Sequence, residues 1–209
     1  MIPLKIQQYV VGMVATNCYF AINDDTKEVL IIDPGDMAKQ IAEKVKEQGL
    51  IPVGILLTHG HFDHALGAKE LSELLDVKVY AHEAEKETLE NPSINLSGWE
   101  GKRDVYHADI YVKDEEVLEL AGFQIKVLFT PGHTVGGCCY YFNEQNVVFS
   151  GDTLFEGSIG RTDFPKGSAS QLIRAIKEKL MVLPDETAVY SGHGEMTSIG
   201  MERINNPFL

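Results

Sequence analysis

The chain opens with short apolar runs that either alternate with polar positions or continue unbroken, as β-strands do. Residues 4–11, 18–22 and 28–35 each have this character. An Asn-Asp-Asp sequence at 23–25 lies between the second and third runs and is typical of a turn. We therefore expect a β-meander at the start of the fold.

Helical and strand-like periods alternate beyond this meander. Met37, Ile41 and Val45 recur at helical spacing, with Asp36 as a candidate N-cap and Gly49 as the residue that ends the helix. The mixture predicts an α/β protein in which sheets pack together and helices cover them. The later segments are strand-like at 53–58, 77–82, 115–130, 137–143, 146–153 and 187–193, and helical at 67–76, 83–90 and 168–183.

One long segment, residues 91–113, fits neither period, because Pro92, Gly98 and Gly101 interrupt it. It contains the only tryptophan of the chain, Trp99. A long loop that carries such a side chain is a candidate lid or binding loop, and a packed surface connection is the alternative. The sequence leaves both interpretations open.

Length and composition are those of one globular domain over residues 1–209. The formal net charge of −13 would repel nucleic-acid phosphates. The sequence has neither a basic leader nor an apolar run of about 18 residues, so we expect a cytoplasmic protein without a membrane span. Cys18, Cys138 and Cys139 are interpreted as reduced, buried small hydrophobes.

Candidate ligands for metal ions crowd into the sequence THGHFDH at 58–64, directly after an apolar run. His59, His61, Asp63 and His64 lie within six positions. Their spacing differs from the helical i, i+4 pair of many zinc enzymes, but a tight turn can point such side chains toward two neighbouring centres. For any one of them taken alone, a capping aspartate or a hydrogen-bonded loop histidine is the ordinary alternative.

Three more apolar runs end in a small-residue turn that carries one candidate ligand each. These are His133 in PGHT, Asp152 in SGDT and His193 in SGHGE. Five of the seven histidines therefore fall in turns at strand ends, which favours a metal site over coincidence. The other two, His82 and His107, are interpreted as structural residues.

The order and separation of these motifs resemble the metallo-β-lactamase superfamily. Within it, GDTLFEGSIGRTDFPKGS followed by GHGEMTSIG is similar to the short bacterial glyoxalase II-like branch, the hydroxyacylglutathione hydrolases. The resemblance implies an αββα sandwich of two mixed β-sheets flanked by helices. It also implies one domain without the C-terminal helical region of the longer glyoxalase II enzymes.

The resemblance further implies a dinuclear metallohydrolase. Its cofactor would be two divalent ions, zinc as first choice and iron or manganese as alternatives, with a hydroxide between them that attacks a thioester. Asp63 and Asp152 would serve this chemistry as catalytic residues. The implied ligands are His59, His61 and His133 for one metal, Asp63, His64 and His193 for the other, and Asp152 as the bridge.

The expected partner is a small-molecule thioester or related acyl substrate, with neither nucleic acid nor membrane as a partner. The chain is expected to be a monomer or a weak dimer. Arg161 and Asp163 are expected to pair and to order their loop. The candidate substrate contacts are Trp99, Arg103, Tyr106, Arg161 and Lys166.

Other functions stay open. A persulfide dioxygenase would hold a single iron with His59, His133 and Asp152, an arrangement suited to oxygen chemistry. Lactonases carry the same seven ligand types, and a non-catalytic metal-binding protein is the third alternative. Hydrolysis of β-lactams is disfavoured, because zinc β-lactamases that resemble this family place a cysteine where this chain has Asp152.

Overall fold

Two six-stranded β-sheets form the centre of the structure, a computed structural model that describes residues 2–209. The first sheet follows chain order, with its first three strands antiparallel and the remaining strands added in parallel. The predicted meander at the start of the chain is therefore present. Its strands are β1 Leu4–Val11, β2 Thr16–Asn23, β3 Glu28–Ile32, β4 Ile51–Leu56, β5 Lys78–His82 and β6 Ile110–Val112.

The second sheet is built from the second half of the chain. Its strands are β7 Val117–Leu120, β8 Phe123–Phe129, β9 Cys138–Phe142, β10 Val147–Gly151, β13 Ala188–Ser191 and β14 Thr197–Ser198. They lie in the order β14-β13-β10-β9-β8-β7, and only the β10–β13 pair is parallel. A small hairpin, β11 Leu154–Phe155 with β12 Ser158–Ile159, follows β10 directly.

Helices cover the outer face of each sheet. They are α1 Ala38–Glu47, α2 Phe62–Ala65, α3 Ala68–Leu75, α4 Lys86–Glu90, α5 Ala169–Ala175 and α6 Ile199–Asn205. Ile41 of α1 and Leu71 of α3 pack on the first sheet, and Leu172 of α5 packs on the second. A separate buried cluster that includes Tyr140 and Phe149 fills the space between the sheets. These layers confirm the predicted αββα sandwich.

The start of α1 differs from the prediction. The predicted apolar stripe includes Met37, but this residue takes a left-handed conformation with φ of 60° and is exposed. Asp36 is not the N-cap of the helix, because its Oδ1 accepts the N–H of Met37 at 2.6 Å instead. The buried stripe therefore begins one residue later, at Ala38, and continues through Ile41 and Val45.

The predicted helices at 83–90 and 168–183 are each interrupted. Residues 83–85 form a 3₁₀ turn before α4, and α5 continues as a π-helical turn over Ile176–Leu180. Within residues 91–113, a 3₁₀ turn at Ser97–Glu100 precedes the edge strand β6. The three cysteines are buried and unpaired. No helix among residues 2–209 is long and apolar enough to span a membrane.

Candidate metal centre

The seven sequence-predicted ligands meet at one edge of the sandwich, where strands of both sheets end. His59 and His61 follow β4 of the first sheet, and the single turn of α2 carries Asp63 and His64. In the second sheet β8 leads to His133, β10 to Asp152 and β13 to His193. Because the strand ends of the two sheets face each other here, side chains distant in sequence become neighbours.

The turn after β4 supplies four of the seven candidate ligands. His61 occupies the N-cap of α2 in an extended conformation, and the helix lasts only from Phe62 to Ala65. Asp63 lies inside this helix rather than at its cap, so the ordinary alternative of a capping aspartate does not apply. His59 and His61 therefore lie before the helix, and Asp63 and His64 within it.

Three histidines form the first group of ligand atoms. One ring nitrogen from each of His59, His61 and His133 lies within 4.8 Å of the others, and all three residues are buried. His133 Nε2 lies 3.0 Å from His61 Nδ1. The other nitrogen of His133 contacts the Arg161 carbonyl oxygen at 2.7 Å, which fixes the ring orientation.

Asp63, His64 and His193 form the second group. His193 Nε2 and His64 Nε2 lie 3.2 and 3.5 Å from the same oxygen, Asp63 Oδ2. Thr16 Oγ1 donates a hydrogen bond to this oxygen at 3.2 Å. The Nδ1 of His193 lies 3.3 Å from the carbonyl oxygen of Ala15, so the β1–β2 turn supports this group from outside.

Asp152 lies between the two groups. Its Oδ1 is 3.4 Å from His64 Nε2, and its Oδ2 is 3.5 Å from His133 Nε2. Gly192 leaves the space for this carboxylate, since a Cβ at that position would lie 2.3 Å from Asp152 Oδ1. One carboxylate thus faces a histidine of each group.

Several buried polar atoms of this cluster lack a hydrogen-bond partner: His59 Nε2, His64 Nε2 and Asp152 Oδ1. Buried polar atoms are nearly always satisfied, and those left over in native proteins mark places where an ion or water belongs. Imidazole and carboxylate groups are donors that zinc, iron and manganese all accept. The donor set therefore fits divalent metal ions, and the clusters are metal-binding His/Asp clusters.

The protonation states agree with this fit. Burial lowers the pKa of His61 to about 3 and lowers the pKa values of His59 and His133 as well, so these imidazoles are neutral and can bind metal. Burial alone would raise the pKa of Asp152, but His64 and the other histidines hold it well below its ordinary value.

His64 is the exception among the histidines. Burial acts to lower its pKa, yet Asp63, Asp152 and Asp33 together hold it well above the ordinary value. A metal cation bound to Nε2 would replace the proton in balancing these carboxylates.

Asp33, at the end of β3, is a supporting residue that the sequence analysis missed. Its Oδ2 contacts His64 Nδ1 at 2.9 Å and accepts the Thr58 hydroxyl at 2.6 Å. Its Oδ1 accepts the Thr58 N–H at 2.8 Å. Asp33 also groups with His59 and His64 as a potential ligand set, but both of its oxygens are engaged, so it orients His64 rather than binding metal. Its position after an apolar strand, in IIDPG, was the available signal.

Glu85 is a second supporting residue without a signal in the sequence. Its Oε1 accepts the N–H of Gly60 at 2.8 Å, between two of the ligands, and its Oε2 accepts the N–H of Gly136 at 2.6 Å. Burial raises the pKa of this carboxyl to about 7, although these hydrogen bonds oppose the rise. Glu85 therefore ties the loop that carries His61 to the loop that carries His133.

A cavity of about 620 Å³ opens from the metal-binding clusters to the surface. His61, Asp63, His133, Asp152 and His193 form its floor. Its walls are largely apolar and come from several segments of the chain, through Val14, Phe62, Leu96, Trp99, Phe155 and Phe164.

Of the five candidate substrate contacts, the structure places two at the cavity wall. Trp99 and Arg161 line the cavity. Arg103, Tyr106 and Lys166 are not among the described residues that line it. Tyr106 is instead buried in the core beneath the first sheet, and Lys166 pairs with Glu87 on the surface. These three residues were predicted from residue type alone, and their contact with a substrate stays a prediction.

Other predicted roles have clear outcomes. Arg161 and Asp163 form the expected pair, with Nε and Nη2 each 2.8 Å from a carboxylate oxygen. His82 stacks on Phe129 at 4.4 Å between ring centroids, and His107 is exposed near Glu90. Neither of these histidines lies in the described ligand clusters.

Comparison with known proteins places this architecture in a family. The sequence model of the metallo-beta-lactamase superfamily matches residues 11–193. The chain is 42% identical over 208 residues to a probable metallo-hydrolase, YqgX, of Bacillus subtilis, covering 99% of this chain and 98% of that protein. It is 39% identical over 196 residues to the hydroxyacylglutathione hydrolase GloC of Haemophilus influenzae, covering 92% of each.

Solved structures are similar over nearly the whole chain. The crystal structure of the BLEG-1 B3 metallo-beta-lactamase superposes with a TM-score of 0.93 and 40% identity, covering 98% of this chain and 99% of that one. The crystal structure of TTHA1623 in a di-iron-bound form gives a TM-score of 0.85 and 35% identity, covering 97% of this chain and all of that one. Relatives with this fold thus include proteins named for different substrates and metals.

Proposed function

This chain belongs to the metallo-β-lactamase superfamily, and from that membership we propose that it is a metal-dependent hydrolase of thioesters such as a hydroxyacylglutathione. One observation carries the proposal: Asp152 presents one oxygen 3.4 Å from His64 and the other 3.5 Å from His133, between two groups of ligand atoms. Both groups border the same cavity. The relative that is named a hydroxyacylglutathione hydrolase supports the choice of a thioester.

Two divalent ions, zinc as first choice, suit the donor set. His59, His61 and His133 would hold one of them and Asp63, His64 and His193 the other, with Asp152 shared. Bound there, two such ions would lower the pKa of a water molecule toward about 7 and polarise a carbonyl oxygen, and so would supply a nucleophile and an electrophile at neutral pH.

The protein's own part is to hold these ligands in fixed orientations. Asp33 fixes the tautomer and tilt of His64 through Nδ1, and the Arg161 carbonyl does the same for His133. Thr16 holds Asp63 through a hydrogen bond to its Oδ2. The ligand atoms that face the cavity are therefore positioned before a substrate arrives, which is how such sites lower a barrier.

The cavity favours a leaving group that departs without a proton. Apart from Arg161, the titratable residues lining its described walls are themselves proposed metal ligands. No separate acidic side chain from the described residues is therefore placed to protonate a leaving amine. A thiolate, whose conjugate acid has a pKa of about 8.5, needs no such acid, which favours thioesters over amides and β-lactams.

The second candidate is a persulfide dioxygenase with a single iron on His59, His133 and Asp152. The likeness to a di-iron-bound structure supports iron as a metal that this fold accepts. Lactone hydrolysis and a purely metal-binding role are the remaining alternatives. The expected partner remains a small molecule, and the absence of a nucleic-acid partner and the monomeric or weakly dimeric state remain predictions.

The test combines metal analysis with turnover. Protein purified without tag or chelator is analysed by inductively coupled plasma mass spectrometry, and hydrolysis of S-lactoylglutathione is followed through the released thiol. We expect about two metal ions per chain, largely zinc, and activity that a chelator removes and zinc restores.

Three comparison assays separate the alternatives. One iron per chain with oxygen uptake on a glutathione persulfide would replace the proposal with the dioxygenase. Faster turnover of a lactone or a β-lactam than of every thioester would replace it with a lactonase or a β-lactamase. Absence of turnover on all of these substrates by the metal-loaded protein would favour the metal-binding role.

A further inference from the structure

The cavity above the metal-binding clusters is lined mainly by apolar and aromatic side chains. We infer that it is a subsite for an uncharged apolar group, aromatic or branched aliphatic, on the non-reacting part of the substrate. This inference rests on the proposed thioester hydrolysis only for the identity of the reacting bond. Its size, about 620 Å³, lies within the range of pockets that enclose small organic ligands.

The apolar wall begins at the metal ligands and continues outward to the surface. The ring of Phe164 lies edge-on to His61, with centroids 5.4 Å apart and planes at 80°. Phe164 also meets Trp99 edge-to-face, with centroids 5.2 Å apart. A group attached to a carbonyl over the metal site would therefore lie along Phe164 toward Trp99.

Trp99 has an unusual position for the only tryptophan of the chain. The residue is 68% exposed, although its ring contacts Phe164 and it lines the cavity. Exposed apolar residues are ordinary when scattered, but a contiguous aromatic surface beside a catalytic cleft is typical of a ligand-binding wall. A planar or branched apolar group would cover the indole face and gain contact with both rings.

The charges of the cavity wall do not suit a strongly anionic substrate carrier. Arg161 is the one lysine or arginine among the described lining residues, and its Nε and Nη2 each donate to a carboxylate oxygen of Asp163 at 2.8 Å, so this edge of the guanidinium is occupied and its charge is paired. The same guanidinium also lies 4.0 Å above the Phe164 ring. Lys102 borders a separate smaller cleft, which it shares with Asp36 and Asp63. The two carboxylates of a glutathione moiety would therefore find little cationic recognition inside the cavity, whereas an apolar thiol or acyl group would find four aromatic rings, those of Phe62, Trp99, Phe155 and Phe164.

Intrinsic fluorescence tests the subsite without any turnover. Because Trp99 is the only tryptophan, its emission reports directly on this wall. The probe is an uncharged thioether, S-phenethyl-N-acetylcysteamine, titrated into the zinc-loaded protein, and the comparison probe is S-methylglutathione. We expect a saturable change in emission with the thioether, at a Kd at least tenfold below that of the glutathione derivative.

Two phenylalanine variants localise the effect. Phe164→Ala is expected to weaken thioether binding about tenfold, the size expected when an apolar pocket loses one aromatic face. Phe208→Ala removes a half-exposed ring near the C-terminus, outside the lining residues, and is the matched control that should leave the Kd unchanged. An unchanged Kd in Phe164→Ala, or equal or tighter binding of S-methylglutathione, would overturn the inference.

Turnover separates this inference from the proposed function. The zinc-loaded protein is assayed with lactoyl and phenylacetyl thioesters of glutathione and of N-acetylcysteamine. A kcat/KM at least tenfold higher for the phenylacetyl N-acetylcysteamine thioester than for lactoylglutathione supports both proposals. Hydrolysis with the reverse preference supports thioester hydrolysis and overturns the apolar subsite. Failure to hydrolyse any of the four, with a saturable fluorescence response to the thioether, overturns the proposed function and leaves the subsite supported.

Discussion

Replacing Glu85 by glutamine tests how the two ligand loops are held together. The carboxylate accepts the N–H of Gly60 at 2.8 Å and the N–H of Gly136 at 2.6 Å, and it is buried. Glutamine offers one oxygen in place of two, so one of these buried N–H groups loses its acceptor. A lost hydrogen bond of this kind costs about 1–3 kcal/mol of the free energy of unfolding.

The loss in the free energy of unfolding that Glu85→Gln causes should become smaller as the pH rises. Burial raises the pKa of Glu85 from 4.5 to about 7, so the folded protein binds the proton more tightly than the unfolded chain. The stabilisation from this proton is complete below pH 4.5 and is lost as the pH rises through 7. Converted at 1.36 kcal/mol per pH unit, the difference amounts to about 3 kcal/mol. Glutamine stays neutral throughout, so the stability gap between the wild type and Glu85→Gln should shrink or reverse by about this amount between pH 4.5 and pH 8.5.

Urea unfolding of both proteins at several pH values measures this gap, with a chelator present so that metal binding does not contribute. Glu83→Gln is the matched control, because Glu83 is an exposed carboxylate on the same 3₁₀ turn. If the difference in the free energy of unfolding between the wild type and Glu85→Gln stays constant with pH, the reasoning is refuted. If Glu83→Gln shows an equal pH dependence, the effect comes from removing a negative charge and not from the burial of Glu85. Zinc affinity is the second measurement, and loosening of both ligand loops should weaken it about 10-fold to 100-fold.

Three further predictions concern the metal centre itself. Asp152→Ala should lower the metal content below two ions per chain and abolish turnover, and near-normal metal content and rate would contradict its bridging role. Gly192→Ala adds a Cβ that would lie 2.3 Å from Asp152 Oδ1 and 2.6 Å from His64 Cε1, so metal affinity measured by chelator competition should fall at least tenfold. Removal of metal by a chelator should abolish activity but leave the circular dichroism spectrum of the sandwich in place; loss of the spectrum would make the metal a structural element.

Local patterns in the sequence predict most of the fold. Strands such as β2 and β10 contain apolar runs and are buried along their whole length, and the buried stripe of α1 has a clear helical period. Elements of two or three residues, such as β6 and the β11–β12 hairpin, were missed because so few positions cannot display a period. Met37 was misplaced because its apolar character says nothing about its left-handed backbone.

The candidate site also contains parts that the sequence predicts and parts that it does not. The ligand turns could be predicted because each repeats one local pattern, an apolar strand followed by small residues and a histidine or aspartate. The role of Glu85 could not be predicted, since it depends on partners 25 and 51 residues away that only the folded chain brings together. Residue type alone also does not place a side chain at the cavity: Tyr106 is buried in the core, and Lys166 pairs with Glu87 on the surface. Trp99 was selected on the same grounds and does line it.

The arrangement of the backbone argues for a centre that exists for chemistry rather than for folding. The two sheets are tied together beside the ligands by hydrogen bonds that need no metal. The N–H of Cys138 in the second sheet donates to the Thr58 carbonyl at 2.9 Å, next to His59, and the N–H of Asn17 in the first sheet donates to the Gly192 carbonyl at 2.7 Å, next to His193. A structural zinc site needs only four ligands and supplies the folding energy itself. Here seven candidate ligands are held by bonds of the protein around an open cavity, which is the preorganisation that a reaction centre requires.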